Sequence, residues 1–251
     1  MNFRLSHSDL LELRRWNSPS VYNGWEAITE RDRLECRRSL EPIVDFAPQM
    51  GPMVGYAVTV EYTASSKKIA EENPDGFLNL YKYLASVQGP KVLIAKSLDA
   101  PNNVGSIFGE VTGSGARALD CVGAIDDGWV RDVDEASYGG FKLMARYLGV
   151  SHAYCTPLRF GNEVEVFGAK VKPGMLIHAD RYGFIAIPEE ETEHLLEAVR
   201  FMDANECRTM IHAAREAQGK TPEEIVEMYA NALSDMKDNG GKFRDRILRK
   251  G

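Results

Sequence analysis

The sequence predicts an α/β fold with a sheet that is at least partly parallel, and three observations carry that expectation. Short runs rich in β-branched and aromatic residues alternate with segments of helical spacing through the first two-thirds of the chain. The run Val92-Leu93-Ile94-Ala95 reads as a buried strand bounded by Gly89-Pro90. A series of short β elements and turns falls late, between residues 164 and 187.

The elements follow in order. Ser8-Asp9 before Leu10 and Leu11 gives a capped helix start, Ser18-Pro19-Ser20 interrupts it, and Pro42, Pro48 and Pro52 bring in an extended stretch. Residues 55–62 read as a strand, and Phe77, Leu80, Tyr81 and Leu84 place a helix over 76–87. A loop rich in Pro, Asn and Gly spans 99–105, and small residues over 109–119 suit a helix packed closely on a sheet. Residues 121–125 are the next strand, 126–132 a polar turn at its carboxyl end, 134–147 a helix and 152–156 a strand. Short strands follow at 164–166, 175–179 and 184–187, then a helix over 189–217. Thr221-Pro222-Glu223-Glu224 carries a full N-terminal capping signature, and 237–251 reads as a mobile, basic, Gly-containing tail. The expected organisation is a helical extension over 1–50, an α/β domain over 51–190, and helices with a tail over 191–251.

The 251 residues include 30 Lys+Arg and 37 Asp+Glu, a net charge of −7, which argues against nucleic acid as a partner. Apolar runs fall far short of the roughly 18 residues of a membrane helix, and Arg4, His7, Asp9 and Glu12 break any signal-peptide core. Cys36, Cys121, Cys155 and Cys207 form no CxxC pair and read as reduced thiols of a cytoplasmic protein, with Cys121 in the core.

The segment most informative about chemistry runs from Gly109 to Asp132. Gly109, Glu110, Val111 and Thr112 open a helix whose free N–H groups can hold a carboxylate. Arg131 and Asp132 follow a strand, where α/β sheets bind ligands. The pair offers a guanidinium for an oxyanion and a carboxylate for a hard cation, and Glu110 adds a second carboxylate. Spacing alone favours the plainer reading, a solvated Arg131–Asp132 pair with Glu110 on a solvated helix.

The motifs go further. Gly55-Tyr56-Ala57-Val58-Thr59-Val60, the run from Cys121 to Asp132, Val171-Lys172-Pro173-Gly174, Ala179-Asp180 and Ile187-Pro188, with 20 residues between Glu110 and Arg131, resemble the RraA-like family over roughly 50–190. That family includes 4-hydroxy-4-methyl-2-oxoglutarate aldolases and the regulator of ribonuclease activity A. Met175 departs from its pattern, as does the stretch from Tyr138 to Lys142. The resemblance implies a swivelling β/β/α layered domain with helical extensions at both ends. It implies a metal-dependent lyase that releases pyruvate from a 2-oxo acid, with oxaloacetate decarboxylation as a possible activity of the same site. Asp132 would hold the cation, Mg²⁺ first and Mn²⁺ second. Arg131 would hold the pyruvyl group, Glu110 would act as base through water, and the backbone of Gly109, Glu110, Val111 and Thr112 would cradle the substrate carboxylate. A homotrimer or hexamer is implied too. The competing reading is a non-catalytic protein-binding regulator.

Other polar residues have plainer readings. His178 and Asp180 form a strand end or a metal pair, and His152 lines a pocket or is structural. Asp127 shapes a turn before Gly128, within an acidic cluster that includes Asp126 and Asp134, and Lys142 is solvated or binds a distal carboxylate.

Overall fold

A computed structural model describes residues 4–249, apart from the side chain of Leu248. The chain opens with α1 (His7–Leu13), α2 (Ser18–Ile28), β1 (Arg37–Arg38), β2 (Val44–Asp45) and β3 (Met53–Thr63). It continues through α3 (Lys67–Glu72), α4 (Gly76–Ser86), β4 (Lys91–Ser97), β5 (Ser106–Phe108), α5 (Glu110–Ala118), β6 (Cys121–Val130), α6 (Val133–Tyr138) and β7 (Lys142–Leu148). Then come β8 (Thr156–Phe160), β9 (Val164–Val166), β10 (Ala169–Val171), β11 (Leu176–Asp180), β12 (Gly183–Ile187), α7 (Leu195–Arg208), α8 (Met210–Arg215) and α9 (Pro222–Leu248).

The main sheet has the order β1-β12-β11-β3-β4-β6-β7-β2, with β5 beside β6 and β8 beside β3. β3, β4, β6 and β7 are parallel neighbours, and β11 and β12 extend the sheet antiparallel. Both sheet faces are covered, which is why Val92, Leu93, Ile94 and Ala95 are all buried. On one face Leu80 and Leu84 of α4, Ala116 of α5 and Ala136 of α6 pack against Val58, Leu93 and Ala124. On the other, the β9–β10 hairpin brings Val164, Val166, Phe167 and Val171 onto Ala57, Ile94 and Ile125. The result is helices, a sheet and a second small sheet in layers. α1, α2 and α7 close a third apolar cluster around Trp25, Tyr56, Ile185 and Leu195. Among the described residues no helix is long and apolar enough to cross a membrane.

Several local expectations differ from the structure. Ser18-Pro19-Ser20 does not interrupt a helix: Asn17 caps Ser20 N–H at 2.9 Å and α2 begins there, with Pro19 in its first turn. The cap of α1 is Ser6, in a reciprocal box with Asp9. The helix expected over 134–147 is only α6. Gly139 and Gly140 end it, and Lys142, Leu143, Met144 and Ala145, all buried, form β7 against β6. The strand expected at 152–156 begins only at Thr156. The helix expected over 189–217 breaks at Thr209 into α7 and α8. The stretch expected as a mobile tail is helical through Leu248, because Phe243 and Ile247, one helical turn apart, bury against Ala198 and Ile28. Residues 250 and 251 lie outside the described residues.

Candidate active site

Two strand-to-helix junctions meet at the carboxyl ends of β5 and β6. β5 pairs with the last residues of β6, Ser106 opposite Trp129 and Phe108 opposite Val130. β5 then runs through Gly109 into α5, while β6 runs through Arg131 and Asp132 into α6. Arg131 N–H donates to the Phe108 carbonyl at 3.1 Å, so the two exits are clamped side by side.

Asp132 has φ +50 and ψ 42, a left-handed conformation that Asp tolerates better than most residues. That turn directs its carboxylate at the start of α5, where Oδ2 accepts Glu110 N–H at 3.2 Å. The positive end of the α5 dipole therefore stabilises the Asp132 charge. Arg131 Nε lies 3.4 Å from the same oxygen, and its Nη1 donates to the Val150 carbonyl at 3.2 Å. Gly109 makes this convergence possible: a β-carbon there would collide with Asp132 Oδ2 and fall 3.1 Å from Arg131 Cγ.

The structure thus brings Gly109, Glu110, Arg131 and Asp132 together. The Arg131 and Asp132 side chains are 35% and 36% exposed. Glu110 is exposed, and among the described residues its carboxylate makes no hydrogen bond or ion pair. Thr112 is buried, whereas Val111 faces solvent. The Val111 and Thr112 amides, at the first turn of α5, have no intrahelical acceptor. Among the described residues no group of three or more His, Cys, Asp or Glu could hold a metal ion.

Residues expected to lie in a turn sit inside the sheet. β6 runs to Val130, and both Asp126 and Asp127 are fully buried within it. Asp127 is held by Lys96 at 2.5 Å and by Arg146, partners far away in sequence. Asp126 accepts Tyr62 O–H at 2.9 Å and Gly128 N–H at 2.8 Å, and burial pushes its carboxyl well above the usual range. Lys142 is neither solvated nor facing the candidate site. It is buried, with its ammonium on Asp45 at 2.7 Å and on the Gly51 and Ala47 carbonyls. His178 is anchored between Ser18 Oγ at 2.9 Å and the Leu13 carbonyl at 3.2 Å, and Asp180 accepts Ser18 and Tyr182 N–H. Burial lowers the His178 pKa to about 4. His152 is exposed, with Nδ1 on the Ala153 carbonyl, and Asp134 is exposed on α6. Cys121 lies in the core, where burial pushes its thiol up to about 12. The Val150 carbonyl that fixes Arg131 is backbone and has no signature in the sequence.

A family model described as RraA-like, Aldolase/RraA, matches residues 19–186. No curated protein matches the chain. Among solved structures, an uncharacterized protein from Pseudomonas syringae pv. tomato str. DC3000 superposes with a TM-score of 0.68 at 19% identity, covering 91% of this chain and 97% of that one. A structure described as one of novel cellulases from microbes associated with the gut ecosystem gives 0.68 at 15% identity, covering 83% and 90%. Streptomyces coelicolor RraAS2, described as an unusual member of the RNase ES inhibitor RraA protein family, gives 0.58 at 19%, covering 81% and 94%. At these identities the likeness is one of fold.

Proposed function

The chain belongs to the RraA-like family, Aldolase/RraA, and from that premise we propose that it is a divalent-cation-dependent carbon–carbon lyase that releases pyruvate from a 2-oxo acid. One observation carries the reading: the Asp132 carboxylate is fastened through Oδ2 to the start of α5, beside the Arg131 guanidinium. Asp132 Oδ1 has no protein partner among the described residues, so a hard oxygen donor is left over. That donor set, with Glu110 near, fits Mg²⁺ or Mn²⁺ retaining several waters. A divalent cation held at Asp132 supplies polarisation of the substrate's ketone and carboxylate.

The residues of the chain do the remainder. Arg131, oriented by the Val150 carbonyl, presents its remaining N–H groups to the pyruvyl oxygens and stabilises charge developing there. The Val111 and Thr112 amides, with Gly109 and Glu110 framing them, receive the substrate carboxylate. Glu110 takes the proton of the C4 hydroxyl through an intervening water. The C4 oxygen then becomes a carbonyl, the C3–C4 bond breaks, and its electron pair passes into the enolate of pyruvate, which is protonated at C3. Loss of CO₂ from oxaloacetate leaves the same enolate and needs no base, so the site suits both reactions.

The exposure of Arg131 and Asp132, with Val111, Tyr147, Leu148 and Val150 exposed as well, supports a homotrimer or hexamer in which a second copy closes the site. A cytoplasmic setting accords with four free cysteines. The same apolar surface favours a second reading, a non-catalytic regulator that binds another protein. The deciding experiment is a coupled pyruvate-release assay over a panel of 2-oxo acids, with Mg²⁺ and with chelator. Cation-dependent release supports the lyase, and silence across the panel supports the regulator.

A further inference from the structure

The geometry points to a binding site for a small oxyanion, phosphate-like or dicarboxylate, at the end of α5 remote from Gly109. A cavity of about 140 Å³ lies there, and its wall carries Arg14, Arg117 and Lys142 but no acidic residue. Arg14 follows α1, Arg117 belongs to the last turn of α5, and Lys142 begins β7.

The three cations are held differently. Arg14 donates Nε to the Pro52 carbonyl at 2.9 Å and Nη2 to the Met50 carbonyl at 3.1 Å. Its guanidinium is thereby fixed while Nη1 stays uncommitted. Lys142 is 2% exposed, and its three protons go to Asp45 and to the Gly51 and Ala47 carbonyls. It adds a fixed charge that Asp45 balances. The Arg117 side chain has no hydrogen bond or ion pair among the described residues. Its Nε faces Gly140, 3.5 Å from where a β-carbon of that residue would stand.

Two uncompensated guanidinium groups therefore border one small hollow. Gathering like charges costs Coulomb energy, and an anion with paired oxygens reverses the sign while matching the planar fork of each arginine. Met53, Val54 and Val122 supply the apolar part of the wall and limit the occupant's size. An anion held there would tie Arg14, which precedes the family-matched residues 19–186, to the helix that carries Glu110 at its other end. The inference stands apart from the lyase reading, because it concerns binding alone.

The test is calorimetric titration of the full-length protein, in EDTA and at matched ionic strength, with sulfate in one arm and malonate in the other. One anion per chain is expected. Arg117→Gln and Arg14→Gln should each weaken it about tenfold, the loss of one charge-assisted contact. Arg117→Lys should recover part of the affinity. The tighter arm identifies the site as tetrahedral-oxyanion or dicarboxylate. Arg117 is exposed and unpartnered, so its replacement leaves folding intact, which a melt verifies. No binding in either arm, or isotherms identical in wild type and Arg117→Gln, overturns the inference.

Discussion

Replacing Gly109 by Ala tests whether the two junctions form one catalytic hollow. The backbone at Gly109 is extended, with φ −153, a conformation any residue adopts, so the effect comes from contact alone. The new methyl collides with Asp132 Oδ2 and lies 3.1 Å from Arg131 Cγ and 3.2 Å from Nε. Restoring ordinary contact distances needs a shift of about 1 Å. A shift of that size breaks the 3.2 Å bond from Glu110 N–H to Asp132. Misplacing a catalytic group this far costs about a hundredfold in rate. Stability changes less. Gly109 is buried, but the Arg131 and Asp132 side chains that must move are about one-third exposed. Overpacking therefore costs about 1 kcal/mol, and the lower entropy of the unfolded Ala chain offsets part of it. The melting temperature should fall by no more than about 4 °C. Pyruvate release and a thermal melt on the same preparation separate the two effects. Unchanged kcat/KM in a protein that melts normally would mean that the catalytic groups do not depend on this contact, and that the two junctions do not form one catalytic hollow.

Three further outcomes follow from the same geometry. Arg131→Lys should lose about a hundredfold in kcat/KM with folding intact, since a point charge cannot replace a planar fork, and steady-state kinetics with circular dichroism measures both. His178 is held neutral, with its pKa lowered to about 4 by burial. Between pH 6.5 and 4 the unfolded chain takes a proton that the folded chain refuses. Stability should therefore be full above pH 6.5 and fall by on the order of 3 kcal/mol on acidification to pH 4. Urea midpoints across that range should show a shallower decline in His178→Gln. Phe243 stacks on Phe201 with ring centroids 4.1 Å apart and is buried. Phe243→Ala should cost on the order of 3 kcal/mol and increase proteolysis within α9, read by limited digestion.

Much of the candidate site was legible because its determinants are local. Gly109 before a helix, and Arg131-Asp132 after an apolar run, are short patterns whose spacing carries the family resemblance. The α4 spacing and the Thr221 capping box were legible for the same reason. What escaped was set by distant partners. Asp126 and Asp127 look like turn residues until Tyr62, Lys96 and Arg146 are folded around them. Lys142 looks solvated until Asp45 reaches it across 97 residues. β7 resembles a helix in sequence because both of its faces are covered, which erases the alternation that marks a strand. Gly240 and Gly241 suggest a mobile tail, yet packing of Phe243 and Ile247 overrides their poor helix propensity.

The most direct measurement is pyruvate release by wild type and Asp132→Ala, each with Mg²⁺ and with EDTA, on the best 2-oxo acid of the panel. Wild type should turn over with Mg²⁺ only, and a normally folded Asp132→Ala in neither condition. Equal turnover by the two proteins would rule out Asp132 as the residue that holds the cation.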